Sequence, residues 1–341
     1  NLSGENSVGM YLDNGAQGTN YGTIIANGTA KEIIGVVVQN NAQLVNESSG
    51  VININSQDGY AFFKAKGGTV VNRGTITVSQ DEGIGMFATG TRSKAINYGT
   101  IDLQGKKAIG IFMASDSGNS TMAPGSSVYL TKAIDLLGDE SIGWVSQNTG
   151  IDGDTKNLVQ FNIGKEIQIA AIGNSLTEAT KTEKAIGILQ DHAKKTNTAA
   201  VIEIGEHTKG SMGVYARQGE LNITAPAANS GITSSKIDLQ GGKDNIGMVA
   251  TANAKVNFDG EAKISGGEDQ KLALAEAGGK VNLKGAVTAG STSNFIKNSV
   301  TLYATGNNSE VTLTKPEKFS SYLSENSVAA YAKDKGKINM N

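Results

Sequence analysis

Two copies of the pentapeptide Ile-Asp-Leu-Gln-Gly place one carboxylate at Asp102 and another at Asp238. Held roughly 5–10 Å apart, two such groups could act as the acid and base, or acid and nucleophile, of a glycoside hydrolase. The segment GIDGDTKN adds Asp152 and Asp154, an acidic pair of the kind seen in calcium loops. It lacks the regularly spaced further ligands and closing Glu of an EF-hand, and reads as a polar surface turn. The only two histidines are His192 in LQDHAKK and His207 in GEHTKG. They could move protons or share a metal, but no nucleophile motif accompanies them and one pair does not complete a zinc site. Both read as solvated turn residues. Cys is absent, which removes thiol catalysis, disulfides and cysteine-ligated zinc. There is no G-x-S-x-G, phosphate-binding loop or HExxH. No catalytic residue, metal ligand or cofactor is expected, and the chain is not expected to be an enzyme.

Whether the two aspartates can meet depends on what positions them, and the dominant signal in the chain is repetition. An Ile-Gly-hydrophobic phrase recurs with its glycine at Gly9, Gly35, Gly85, Gly110, Gly143, Gly187, Gly213 and Gly247. Ala61, Ala273, Thr301 and Ala329 fill the same slot in weaker copies. Most intervals lie near 25 residues, and three are stretched to 33, 44 and 34. A second marker keeps step in the first third of the chain, at Asn20, Asn46, Asn72 and Asn97, three of which open Asn-x-Gly-Thr-Ile.

Within each period apolar residues alternate with polar ones, as in GTITVS, and Gly or Asn flanks each short run; this is strand periodicity. Helical spacing is confined to pieces such as Asn174 to Ala185. Three short strands cannot bury an apolar edge alone, but units stacked in register can, each turn hydrogen-bonding to the next at about 4.8 Å. The pattern therefore predicts an all-β parallel β-helix, or β-solenoid, of about 25 residues per turn and about twelve turns. It runs through residues 1–341 as a single segment, on the order of 55 Å long. Inward rows of Ile, Val, Met and Ala stack on themselves, Ile101 and Ile109 among them. The aligned asparagines form an amide ladder at a corner. Asp102 and Asp238 are then equivalent outward positions four turns apart, on the order of 19 Å, too far to act as a pair.

Composition agrees. The 341 residues include 44 Gly, 3 Pro, 38% hydrophobic and only 5% aromatic residues, so the chain folds around a thin core. A formal net charge of −2 argues against nucleic-acid binding. The longest aliphatic run, Ile33 to Val38, is broken by Gly35 and is far too short to span a bilayer. No signal peptide is recognisable at the N-terminus.

The phrases VNRGTITV, INYGTIDLQGKKAIGIFMA and ENSVGMYLDNG resemble the passenger domains of type V autotransporters, in particular the large adhesin-like passengers of the fusobacterial kind. The resemblance implies a right-handed parallel β-helix on the cell surface, cut from a longer passenger. It also implies anchoring to the outer membrane through a C-terminal β-barrel outside this chain. The missing Cys agrees with passage through an oxidising periplasm.

Two positions after the slot come Tyr11, Phe63, Phe87, Phe112 and Tyr215, followed later by Tyr303 and Tyr331. Strand parity sets this row opposite the inward one, where it could meet a host or bacterial surface protein or a glycan. Cross-turn stacking alone would also account for it. Insertions near 115–127, 147–183 and 225–235 are the other candidate contact points. The expected function is that of a monomeric adhesin rod holding contact surfaces away from the cell. The alternatives are a carbohydrate-active enzyme on the same scaffold, a pure stalk, or a trimeric fibre.

Overall fold

The computed structural model describes residues 1–28, 30–65, 67–90, 93–114, 127–130, 132–147, 158–165, 181–193, 195–226 and 232–341. The chain winds into a parallel β-solenoid of about eleven turns, with about 26 residues in an uninterrupted turn. Its first sheet has twelve strands in chain order, from Val8–Leu12 and Ile34–Gln39 to Val328–Lys333. The second side opens with a five-stranded stack from Gln17–Asn20 to Ser127–Leu130, and the third begins at Thr23–Asn27. Lys195–Ile204 spans the corner between these two sides. Its Lys195–Thr198 half pairs with Glu220–Ile223, while its Val201–Ile204 half pairs with Ser235–Leu239. Both stacks then continue upward.

The parallel ladder follows from sequence units too short to fold alone: each strand's backbone groups find partners only in the turns above and below. Register is exact between copies, for example Ile84 with Ile109 and Phe87 with Phe112. The core is a set of rows running up the axis. One passes through Val36, Phe62, Met86, Ile111, Trp144 and Ile188, and another through Ile52, Ile76, Ile101, Ile134 and Phe161; all are buried.

The glycine slot is a kink in the first sheet at which two successive residues point inward. A Cβ at Gly110 would meet the Gly143 carbonyl oxygen at 2.6 Å and the Ile134 side chain at 3.0 Å. The kink resets strand parity. The residue before the slot therefore faces outward with the aromatic row, and Ile109 is half exposed rather than in a core row. Register also moves one weak copy: Val249 pairs with Leu274, so Leu272, not Ala273, occupies the slot. Of the suggested helical piece, the described end Thr182–Glu183 is a short strand.

The asparagine ladder forms as expected. Asn20 Nδ2 donates to Asn46 Oδ1 at 2.7 Å, Asn46 Nδ2 to Asn72 Oδ1 at 2.8 Å, and Asn72 Nδ2 to Asn97 Oδ1 at 2.7 Å. Asn97 Nδ2 closes on the Gly99 carbonyl at 2.8 Å. The last three are fully buried. Beside them the chain passes so close over the turn below that a Cβ at Gly99 would sit 2.0 Å from the Gly74 carbonyl oxygen. At the bottom of the same row a Cβ on Gly22 would meet nothing within 4 Å. Gly99→Ala is expected to lose about 1–3 kcal/mol of stability in urea denaturation, and Gly22→Ala to stay within about 0.5 kcal/mol.

A second corner, feeding the first sheet, is left-handed at every level. Asn6, Glu32, Lys107, Lys184 and Asn326 have φ of 54–57°, and Gly210 is the only glycine in the row. The conformation costs non-glycine residues about 1 kcal/mol or more each. The next turn holds it in place: the N–H of Lys107 donates to Asp139 O at 2.7 Å, and that of Lys184 to Lys209 O at 2.8 Å.

Candidate functional site

Tyr11, Phe63, Phe87, Phe112 and Tyr215 occupy one in-register row on the outer face of the first sheet. The row runs Tyr11, Val37, Phe63, Phe87, Phe112, Val145, Leu189, Tyr215 and on to Tyr331. Three of the five come together on consecutive turns. The rings of Phe63 and Phe87 stack with centroids 5.2 Å apart, and Phe87 meets Phe112 edge-on at 5.3 Å. Tyr60, from the row before the slot, packs edge-on against Phe63 at 6.0 Å and Phe87 at 5.8 Å, making a four-ring cluster. Tyr11 and Tyr215 stand apart, separated from the cluster by aliphatic members of the row. Tyr11 is 58% exposed, while the three phenylalanines are half buried against one another. A second pair, Tyr303 and Tyr331, stacks at 5.5 Å near the far end, with Lys333 Nζ 6.0 Å from the Tyr303 ring. Such rings offer apolar faces and, through tyrosine hydroxyls, hydrogen bonds to a partner.

The third side carries a polar outer row that the sequence reading reached only in part. Asp102 and Asp238 do share it, four turns apart, but the intervening members are Asp135, Asn162 and Glu203. Asp102 therefore has a carboxylate neighbour one turn away. Asn162 Nδ2 donates to Asp135 Oδ1 at 2.7 Å. Burial, then the charge of Asp135, pushes the Asp102 carboxyl up to about 6, and burial raises Asp135 as well. At the upper end Lys236 Nζ bridges Glu203 at 3.2 Å and Asp238 at 3.1 Å, and Lys165 also pairs with Glu203. Desolvation opposes ionisation of Glu203, but the two lysines outweigh it and hold its carboxyl below the usual range. The missed signal was a third Ile-Asp-Leu, Ile134–Leu136, displaced by the insertion before it.

Because Asp102 is raised in the fold, its protonated form favours folding. That contribution is complete below pH ~4 and is lost as pH rises through ~6. Asp102→Asn should therefore stabilise the rod at pH 7.5 by about 1–2 kcal/mol, discounted for partial exposure, and change little near pH 4. Urea melts at the two pH values measure this.

His192 is not a solvated turn residue: it is 2% exposed, with Nε2 2.9 Å from Thr196 Oγ1. His207 is half exposed. Asp152 and Asp154 lie outside the described residues, as does most of the three insertions. Among the described residues no group of three or more His, Asp or Glu could hold a metal ion, and no helix is long and apolar enough to cross a membrane.

Stacked turns, an inward aliphatic core and outward side-chain rows define a parallel β-solenoid. Residues 1–109 match the family described as the BigA third pectate lyase-like domain. No curated protein and no solved structure matches the chain.

Proposed function

We propose that this chain is a rod segment of a bacterial surface adhesin, displayed outside the cell in the manner of autotransporter passengers. Its outer aromatic row meets a surface protein or glycan of a host or a neighbouring bacterium. The observation that carries the reading is the four-ring cluster of Tyr60, Phe63, Phe87 and Phe112 on the outer face of the first sheet. Side-by-side aromatic rings on a rigid sheet are the kind of anchors that dominate interface energies, and repetition along the rod gives several weak contacts a combined avidity. The scaffold supplies rigidity, no residue acts as a catalyst, and the rod works as a monomer tethered through a membrane β-barrel elsewhere in its parent protein.

The experiment is attachment of the fluorescently labelled chain to epithelial cells and to bacteria. The parent should attach saturably, and a Phe63→Ser/Phe87→Ser/Phe112→Ser variant with an unchanged far-UV spectrum should attach at least tenfold more weakly. Equal attachment of both would sink the reading.

A second reading, a hydrolase acting on saccharides, is favoured by the Asp102–Asp135 pair, since carboxylates on neighbouring turns fall near the spacing of a retaining glycosidase. Release of reducing sugar from polysaccharides by the parent and not by Asp135→Asn would support it.

A further inference from the structure

On the second side, above the corner strand, three outward rows enclose a groove of about 250 Å³. Its floor is another asparagine ladder. Asn222 Nδ2 donates to Asn197 Oδ1 at 2.9 Å, Asn257 Nδ2 to Asn222 Oδ1 at 2.6 Å, and Asn282 Nδ2 to Asn257 Oδ1 at 2.6 Å. Unlike the corner ladder, this one lies on the outer side of its sheet, with Asn222 and Asn257 still 8% and 7% exposed at the bottom of the groove, flanked on one side by Lys195 and on the other by Thr224, Asp259 and Lys284. The charges on the two flanks differ. Glu220 pairs with Lys195 at 3.6 Å and Lys255 at 4.0 Å and accepts from Asn257 Nδ2 at 3.1 Å, so its carboxylate is committed within that flank. Asp259 and Lys284 are exposed and, among the described residues, make no ion pair.

We infer that this groove is a saccharide subsite that takes the hydroxyl edge of one neutral hexopyranose ring. Asn257 commits both of its N–H groups, to Asn222 and Glu220, but Asn222 commits only one to the ladder, and each amide oxygen has a second lone pair, so the floor can both donate to and accept from hydroxyls at a repeat of about 4.8 Å. The uncommitted carboxylate of Asp259 can accept from two hydroxyls, and Lys284 can donate to a third. The volume is below the ~300–1,000 Å³ of clefts that hold drug-sized ligands, which fits a single ring. Ordered side chains in a preformed groove need little rearrangement to bind, but one ring makes few contacts, so millimolar affinity is expected.

The test uses the full chain labelled with ¹⁵N-asparagine, titrated with methyl β-D-glucopyranoside, methyl β-D-galactopyranoside and methyl β-D-glucuronide. At least one neutral glycoside should shift the side-chain amides of Asn222 and Asn257 saturably. The response should weaken at least tenfold in an Asp259→Ala/Lys284→Met variant, whose substitutions are both at exposed positions. Silence with both neutral glycosides, a response to the glucuronide alone, or a shift that survives the double variant would each overturn the subsite. The outcome is separable from the attachment reading. Cell attachment with silent amides would leave that reading standing and remove the subsite; shifting amides without attachment would do the reverse.

Discussion

Replacing Asn72 by Ala should cost the rod about 3–5 kcal/mol. The side chain is fully buried in the middle of the corner ladder, accepting from Asn46 Nδ2 and donating to Asn97 Oδ1. Alanine removes both partners at once and leaves a buried donor below and a buried acceptor above, each worth about 1–3 kcal/mol unpaired. The backbone of Gly74 and Gly99 packs directly over the ladder amides, a Cβ at each falling within 3 Å of an Asn Nδ2. Polarisation along the chain of amides adds to the loss. Asn72→Asp separates the terms: near pH 4 a protonated carboxyl can still accept from Asn46 and donate to Asn97, whereas at pH 7.5 it places an unpaired buried charge there. The variant should thus be closer to the parent in acid, against the ordinary trend. Urea denaturation at both pH values reads this, and a loss under 1 kcal/mol for Asn72→Ala would show that the ladder is decorative.

Trp144→Ala is expected to cost a similar amount, about 3–5 kcal/mol, for a different reason. Trp144 is the largest fully buried side chain, set in the core row between Ile111 and Ile188. Removing it opens a cavity that the rigid stack cannot collapse, since backbone spacing is fixed by the sheets on every side. Its Nε1 has no hydrogen-bond partner among the described residues. Trp144→Phe therefore discards an unpaired donor along with some volume, and should lose less than about 1.5 kcal/mol. Calorimetry of both variants checks the pair; equal losses would mean that the indole N–H is satisfied after all.

Much of the fold could be read before any coordinates, because a solenoid writes its register into the sequence. Slot glycines and ladder asparagines recur at the same phase, and each marker predicts the position of the other. The aromatic row follows by counting two residues from the slot, and the observed pairings keep that count. The errors have local causes. Period-two parity fails at the slot, where the kink turns two successive residues inward and leaves Ile109 on the outer side rather than in the core. Leu272 fills the slot with a bulky residue, and the alternation of KLALA hid the one-residue offset. Asp135 was missed because an insertion displaced its turn, although its Ile-Asp-Leu context matches that of Asp102. Burial of His192 rests on a contact with Thr196 that no periodicity announces. The outward ladder at Asn197, Asn222 and Asn257 was open to detection, but stretched intervals broke its phase.

The parallel stacking has a mechanical consequence. A pull applied to the two ends of the chain does not load the sheets together; it peels the outermost turn, whose hydrogen bonds lead to one neighbour only, and then the next. Each detached turn frees about 26 residues, roughly 85–95 Å of extended chain, while shortening the rod by only about 5 Å. Under load the rod is expected to lengthen in steps of one turn, with the remaining turns still folded and still presenting their outer rows; under the proposed attachment role, a tethered cell would be let out by the same steps. Single-molecule stretching would register this as a sawtooth with that spacing, interrupted by longer steps at the stretched intervals.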